Sequence, residues 1–155
     1  MSQIHIKTYN PQYKKDFIRL NKEWITTFFK LEESDIKALE NVEEYIINKG
    51  GQIFFAVLDS CETVGCCALI AHPEQGSYEL AKMAVTPSAQ GLGAGRKLGE
   101  AAISYARARG IKQIFLEGNT KMEASISLYK KLGFEETPIK NAAYERCDIM
   151  MIINL

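Results

Sequence analysis

The apolar and polar positions at the start of the chain first follow a strand-like period and then a helical one. Residues 4–9, "IHIKTY", alternate apolar and polar side chains, which predicts a first strand. Pro11 suits the first turn of a helix, because its missing N–H would have no helical acceptor there. From Tyr13 to Trp24 an apolar residue recurs every three or four positions, which predicts a helix with one core-facing stripe.

A second helical stretch follows in residues 32–51, "EESDIKALENVEEYIINKGG". We expect Ser34 or Asp35 to cap its start, since both side chains accept hydrogen bonds from first-turn amides. The stretch is predicted to break near Asn41 and to end at the glycines of positions 50 and 51.

The middle of the chain changes to a strand-like pattern. The segments "QIFFAVLD", "TVGCCALIA" and "SYELAKMAV" are rich in β-favouring residues and separated by short turn-like links, which predicts an antiparallel meander. A glycine-rich loop, a helix to about Arg109 and the strand "KQIFLEG" come next, an order typical of a parallel crossover. A helix over 121–132 and the strands "FEETP" and "RCDIMMIIN" complete the pattern. We therefore predict a mixed α/β (α+β) fold, with a mostly antiparallel twisted sheet of about seven strands and about four flanking helices.

Length and composition favour one ordinary globular domain over residues 1–155. The 19 basic and 19 acidic residues cancel, so no overall field attracts nucleic acid or an anionic membrane. The longest apolar runs are far shorter than the roughly 18 residues of a membrane span, and the first residues lack the layout of a secretion signal. We therefore expect a cytoplasmic protein that binds neither nucleic acid nor membrane.

The cysteines and histidines do not spell out a metal site. The four cysteines form no C-x-x-C pair, and His5 and His72 stand apart in the sequence. We expect reduced, mostly buried thiols and no bound metal.

The loop "AQGLGAGRKL", residues 89–98, carries the clearest chemical signal of the sequence. It places three alternating glycines between a predicted strand and a predicted helix, where backbone N–H groups without helical acceptors and the positive end of the helix dipole favour an anion. Gly91, Gly93 and Gly95 allow close backbone approach, and Arg96 adds positive charge. The sequence therefore predicts a phosphate site at this loop.

Two nucleotide motifs fit this loop poorly. Nothing in it matches G-x-x-x-x-G-K-[ST], the loop of nucleoside triphosphate enzymes. The dinucleotide fingerprint G-x-G-x-x-G would place Arg96 where its third glycine packs, although Glu117, at the end of the next predicted strand, is a candidate to hold a ribose. A dinucleotide-dependent oxidoreductase thus remains an alternative.

The pattern Q-x-x-G-x-G of Gln90, Gly93 and Gly95 fits better. Together with "ELAKMAVTP" before it and "LYKKLGF" after it, the chain resembles the GNAT superfamily of acyl-CoA-dependent N-acyltransferases. The resemblance covers mainly residues 77–134. It implies a cytoplasmic N-acetyltransferase that moves an acetyl group from acetyl-CoA to an amine.

The resemblance also implies where coenzyme A binds. Its pyrophosphate is expected on the loop amides and its pantetheine arm along the preceding strand, beside a bulge and a splay of the sheet that make room for the acyl group. The implied cofactor-binding residues are Met83, Ala84, Val85, Gln90, Gly91, Leu92, Gly93, Ala94, Gly95, Arg96, Asn119 and Tyr129.

Catalysis requires a base, because an alkyl amine is protonated at neutral pH. By resemblance, Glu79 is the candidate base, with ordered water as the alternative, and Tyr129 is the candidate acid for the departing thiolate. The resemblance implies acceptor contacts from the first two helices and from the region around Asn141 to Glu145. Candidate substrate-binding residues in the helical part are Trp24, Phe28, Glu32 and Glu33.

Two questions stay open at this stage. The acceptor is a small-molecule or peptide amine of unknown identity, and the protein is a monomer or a homodimer. A non-catalytic acyl-CoA sensor would share the loop and differ in tolerating the loss of Glu79 and Tyr129.

Overall fold

A computed structural model of the chain describes residues 3–155, so residues 1 and 2 of the predicted domain lie outside it. Its seven strands are β1 Ile4–Thr8, β2 Gln52–Leu58, β3 Thr63–His72, β4 Ser77–Val85, β5 Gln113–Gly118, β6 Glu135–Thr137 and β7 Ile149–Asn154. Its four α-helices are α1 Lys14–Phe28, α2 Glu33–Glu40, α3 Ala94–Ala108 and α4 Glu123–Leu132. A π-helical turn spans Glu43–Ile47, and short 3-10 turns span Pro11–Tyr13, Pro73–Gln75 and Pro87–Ala89.

All seven strands form one sheet in the order β1-β2-β3-β4-β5-β7-β6. Neighbouring strands are antiparallel except β4 and β5, which are parallel because α3 carries the chain back across the sheet. The predicted mixed, mostly antiparallel seven-stranded sheet with four helices is confirmed.

Each face of the sheet buries its own apolar cluster. On one face Leu98 of α3 packs with Leu69 and Ile114, and on the other Phe17 of α1 and Leu39 of α2 pack with sheet residues. Successive residues in the central parts of β2 and β3 point to opposite clusters, so both strands are apolar between their ends.

Local signals fixed most helix ends. Gly133 follows α4 at φ +110°, the left-handed conformation that ends many helices. The start of α2 differs from the expectation, since Glu32 is its N-cap and forms a reciprocal capping pair with Asp35. Asp35 therefore lies inside the first turn, where it is fully buried.

The cysteines and the helix lengths bear on two further properties of the chain. All four cysteines are free, and Cys66 and Cys67 are buried. Among residues 3–155, no helix combines the length and the apolar character that crossing a membrane requires.

Candidate active site

Strand β4 is irregular in its second half, around Lys82. Its register with β3 shifts between Cys66 and Ala68, and Lys82 adopts φ +56°, a conformation uncommon for a residue with a side chain. On its other side, β4 pairs with β5 only through Tyr78 and Glu79. The strands then separate, so the predicted bulge and splay are confirmed.

The separation leaves one edge of β4 open. Met83, Ala84 and Val85 continue the strand beyond the point where β5 leaves it, and within residues 3–155 that edge has no strand partner. An extended molecule lying there finds a row of backbone donors and acceptors.

The glycine loop connects β4 to α3 as a turn of bare backbone. Gly91 and Gly93 have φ values of +88° and +82°, and a Cβ added at either would meet nothing within 4 Å. Within the described chain, no acceptor is found for the backbone N–H groups of positions 91 and 93–96. These amides lie at the N-terminus of the 15-residue helix α3. The loop thus has the free donors and open space that a pyrophosphate requires.

The loop's side chains leave this space clear. Leu92 is half exposed. Arg96 points outward, and its Nε lies 3.9 Å from a carboxylate oxygen of Glu100. Gln90 is also exposed, and its Nε2 donates to the Val85 carbonyl oxygen at 3.4 Å. An outward Arg96 is not the third packing residue of a dinucleotide fingerprint.

A cavity that is partly open to solvent lies where β4 and β5 separate. Helices α1 and α4 and the segment 144–147 complete its walls. The predicted site residues that line it are Trp24, Glu79, Met83, Asn119 and Tyr129.

Glu79 is a buried carboxylate on the cavity wall, with only 4% of the residue exposed. One of its oxygens lies 2.9 Å from Nε2 of His72, and within residues 3–155 its other oxygen has no hydrogen-bond partner. The hydrogen bond to Glu79 raises the pKa of His72. A carboxylate with one free oxygen facing a cavity is suited to accept a proton there.

Tyr129 projects from α4 into the same cavity. Its ring packs edge-on against Phe134 at a centroid distance of 6.1 Å, and burial raises the pKa of its hydroxyl. The phenol therefore stays protonated at neutral pH and is available as a donor.

A buried ionic cluster forms the floor beside Glu79. Asp35 accepts hydrogen bonds from Lys82 Nζ and, at 2.8 Å, from both terminal nitrogens of Arg146. Burial would raise the pKa of Asp35, but these cations outweigh it and lower the pKa to about 2. Lys82 also donates to the Tyr144 hydroxyl at 3.0 Å. Because Arg146 contacts Glu32 as well, at 3.1 Å, the two cations of the cluster are balanced by two carboxylates.

Glu117 and Asn119 fasten the end of β5 to the late loop. Glu117 accepts from the backbone N–H groups of Ala143 and Tyr144, so it is engaged by protein amides, and burial raises its pKa. Asn119 donates to the Arg146 carbonyl oxygen at 2.7 Å and accepts from the Lys121 amide at 2.9 Å. Both side chains therefore shape the cavity wall, and the Glu117 contacts do not favour a ribose site.

The predicted acceptor residues are only partly brought together. Trp24 lines the cavity beside Phe29, whereas Phe28 packs on Trp24 outside it. Glu32 is the N-cap of α2, and the Glu33 side chain is 85% exposed next to Lys37. Phe28 and Glu33 thus do not reach the cavity in this structure.

Two charged cavity residues, Lys82 and Arg146, were not singled out from the sequence, whereas Tyr144 falls in the expected acceptor region 141–145. Lys82 lies 62 positions before Tyr144, so no local spacing connects the lysine with the late loop. One usable signal was present, namely a lysine within the apolar strand "ELAKMAV", since a buried lysine requires a partner. Among residues 3–155, no group of three or more potential metal ligands is found.

The chain is similar in sequence and in fold to known acetyltransferases. Residues 17–134 match the model of the acetyltransferase (GNAT) family. The chain is 40% identical over 67 residues to mycothiol acetyltransferase of Paenarthrobacter aurescens, a match that covers 41% of this chain and 21% of that protein. The chain thus spans about a fifth of the length of this relative.

Solved structures show the same fold over nearly the whole chain. An acetyltransferase of the GNAT family from Staphylococcus aureus superposes with a TM-score of 0.87 at 26% identity, covering 98% of this chain and 99% of that one. Phosphinothricin acetyltransferase from Sinorhizobium meliloti, solved in complex with acetyl-CoA, gives a TM-score of 0.79 at 17% identity and covers 98% and 88% of the two chains. At that identity the second likeness concerns the fold alone.

Proposed function

Because the chain belongs to the acetyltransferase (GNAT) family, we propose that it transfers an acetyl group from acetyl-CoA to a primary amine by direct attack within a ternary complex. The observation that carries this proposal is the junction of the open β4 edge with a cavity that holds Glu79 and Tyr129. An extended cosubstrate on that edge delivers its reactive end to the two groups that the reaction needs.

The loop and the strand are suited to hold acetyl-CoA. The free amides of positions 91 and 93–96 would bind the pyrophosphate, and the open edge at Met83–Val85 would pair with the pantetheine arm. Asn119 would contact the arm from the opposite wall. Gln90, Leu92 and Arg96 would frame the loop from its exposed side.

Glu79 would act as the base. The acceptor enters as an ammonium ion, and its nitrogen attacks the thioester only after a proton has left. The free oxygen of Glu79 faces the cavity, so it is positioned to take that proton. The oxyanion that forms on attack would be stabilised by amides of the irregular part of β4.

Tyr129 would protonate the departing thiolate. Tyr129 of α4 lines the cavity, and its raised pKa would keep the hydroxyl proton in place until the thiolate develops.

The cavity favours a cationic amine with an apolar body. Lys82 and Arg146 are already balanced by Asp35 and Glu32, so neither cation neutralises Glu79, whose contact is with the titratable His72. Trp24 offers an aromatic surface nearby.

An acceptor screen tests the proposed function. The protein is incubated with acetyl-CoA and, in turn, spermidine, phenylalanine, kanamycin and a short peptide with a free N-terminus, and free coenzyme A is measured with a thiol reagent. Release that depends on one of these amines supports the proposal. Binding of acetyl-CoA without release with any of them contradicts transfer and indicates a sensor.

Replacement of Tyr129 by Phe tests the acid. We expect the Kd for acetyl-CoA to stay within about twofold and kcat to fall by about 10–100-fold, because only the proton donor is lost. The control is Tyr105→Phe, which removes a hydroxyl from a ring packed on Phe54, away from the cavity. Unchanged kcat in Tyr129→Phe would exclude the tyrosine as the acid.

Replacement of Glu79 by Gln tests the base. The shape and the contact to His72 are retained, so acetyl-CoA affinity should persist while kcat falls by about 100-fold or more. Glu136→Gln, an exposed change on β6, is the control. Near-normal turnover of the Glu79 variant would indicate that ordered water supplies the base.

A further inference from the structure

His72 and Glu79 form a side-chain pair across two neighbouring strands. His72 is the last residue of β3 and Glu79 the third residue of β4, and the hairpin between them brings the imidazole Nε2 within 2.9 Å of the carboxylate. Glu79 is almost fully enclosed, with 6% of its side chain exposed, whereas the His72 side chain is 22% exposed. The pair therefore reaches from the cavity to the protein surface.

A third group continues this path. Nδ1 of His72 lies 3.7 Å from a carboxylate oxygen of Glu74, whose side chain is 70% exposed on the hairpin. That distance is too long for a direct hydrogen bond, but solvent reaches both side chains. The groups thus run in order from the cavity through Glu79, His72 and Glu74 to solvent.

The surroundings leave His72 with few other ionisable neighbours. The ring of Phe115 on β5 lies against it at a centroid distance of 5.4 Å. The charges of Glu74 and Glu79 act on His72, and the same two charges, after burial, raise the pKa of Tyr45 in the π-helical turn. Glu79 in turn acts on Lys82, Tyr144 and Glu117 across the cavity.

We propose that His72 positions Glu79 and acts with it as one base. The two side chains together take up one proton from the acceptor, and that proton leaves toward solvent past Glu74. The proposal rests on the proposed function. The acceptor nitrogen loses a proton to the free oxygen of the Glu79 carboxylate. After the carboxyl group turns, this same proton passes to Nε2 of neutral His72, and the resulting imidazolium releases its Nδ1 proton to Glu74 or water. The N–H bond of the acceptor is broken and one proton reaches solvent, so the exchange balances.

The chemical reason is the match between base and acceptor. A carboxylate alone has a pKa of about 4.3 and is a weak base for an ammonium ion, whereas an imidazole has a pKa of about 6.5. When two groups share one proton, the pair titrates as a unit. The hydrogen bond to Glu79 raises the pKa of His72, so the imidazole is a stronger base in this pair than it would be alone.

One experiment reads the pair directly, without any acceptor. The chain has only two histidines, so nitrogen-15 spectra of the imidazoles resolve His72 and His5 over a pH titration. In Glu79→Gln the pKa of His72 should fall toward the ordinary value of about 6.5. The signal of His5, which contacts Asp59 and lies on the edge strand β1, serves as the internal reference. An unchanged His72 titration overturns the pairing.

A second arm reads the role in catalysis. His72→Gln keeps a donor for Glu79 but does not titrate, and His5→Gln, which alters an exposed histidine–carboxylate pair, is the matched control. With the fastest of the four amines named above, kcat/KM of His72→Gln at about pH 7.5 should fall about tenfold, and the bend of its pH profile between about pH 6 and 8 should move to lower pH. The Kd for acetyl-CoA should be unchanged.

The outcomes are separable. If the wild-type protein transfers acetyl groups and His72→Gln keeps the same pH profile, the inference is overturned and the proposed function stands. If the wild-type protein releases no coenzyme A with any of the four amines, the proposed function fails and the role of His72 fails with it.

Discussion

Replacing Gly93 by Asp should abolish measurable binding of acetyl-CoA, with a loss of at least about 100-fold in affinity. Gly93 is the N-cap of α3 at φ +82°, and the space above its Cα is open. A carboxylate there would occupy the place proposed for the pyrophosphate and repel it at short range. Isothermal titration calorimetry with acetyl-CoA measures the effect.

The control separates charge from backbone strain. Gly110 follows the other end of the same helix, also has a positive φ of +74°, and has equally open space around its Cα. Gly110→Asp therefore carries a similar conformational cost without approaching the loop. We expect it to bind acetyl-CoA normally, and unchanged affinity in Gly93→Asp would remove the loop as the pyrophosphate site.

Replacing Asp35 by Asn should lower the free energy of unfolding by about 3–5 kcal/mol, because it leaves two buried cations without their shared counter-charge. The Asp35 carboxylate is fully buried between Lys82 and Arg146. Urea unfolding measures the loss. Glu33→Gln, two residues earlier in the same helix and exposed, should change the same quantity by less than about 0.5 kcal/mol.

The same ion pairs give a pH dependence with a definite sign. The folded-state pKa of Asp35, about 2, lies below its ordinary value of 3.8, so its contribution is fully present above that ordinary value and is lost as the pH falls toward 2. The unfolding free energy of the wild-type protein should therefore fall more steeply over this range than that of Asp35→Asn. Parallel curves for the two proteins would contradict the assigned ion pairs.

The order of helices and strands and the position of the glycine loop could be predicted from the sequence, because each depends on residues that are close together in the chain. The period of apolar residues identified the four helices and the strands, and the spacing of Gln90, Gly93 and Gly95 identified the loop. The start of α2 was misplaced by two or three residues, since both Ser34 and Asp35 are good caps and only the tertiary contacts of Asp35 decide between them and Glu32.

The walls of the cavity were not predictable in the same way. Asp35, Lys82 and Arg146 meet although 47 residues separate the first two and 111 separate the first and last. The pairing of His72 with Glu79 depends on the length of a hairpin turn, and no local pattern distinguishes it from a solvent-facing glutamate. Side-chain chemistry that arises only from the folded sheet has no local pattern.

Strands β4 and β5 pair over a short parallel contact and then separate. The pair of Glu79 with Phe115 is the last one before they diverge. In the proposed reaction, the backbone register of this contact would set the depth at which an amine meets the thioester. The side chains further along the two separated strands would then act on the choice of amine.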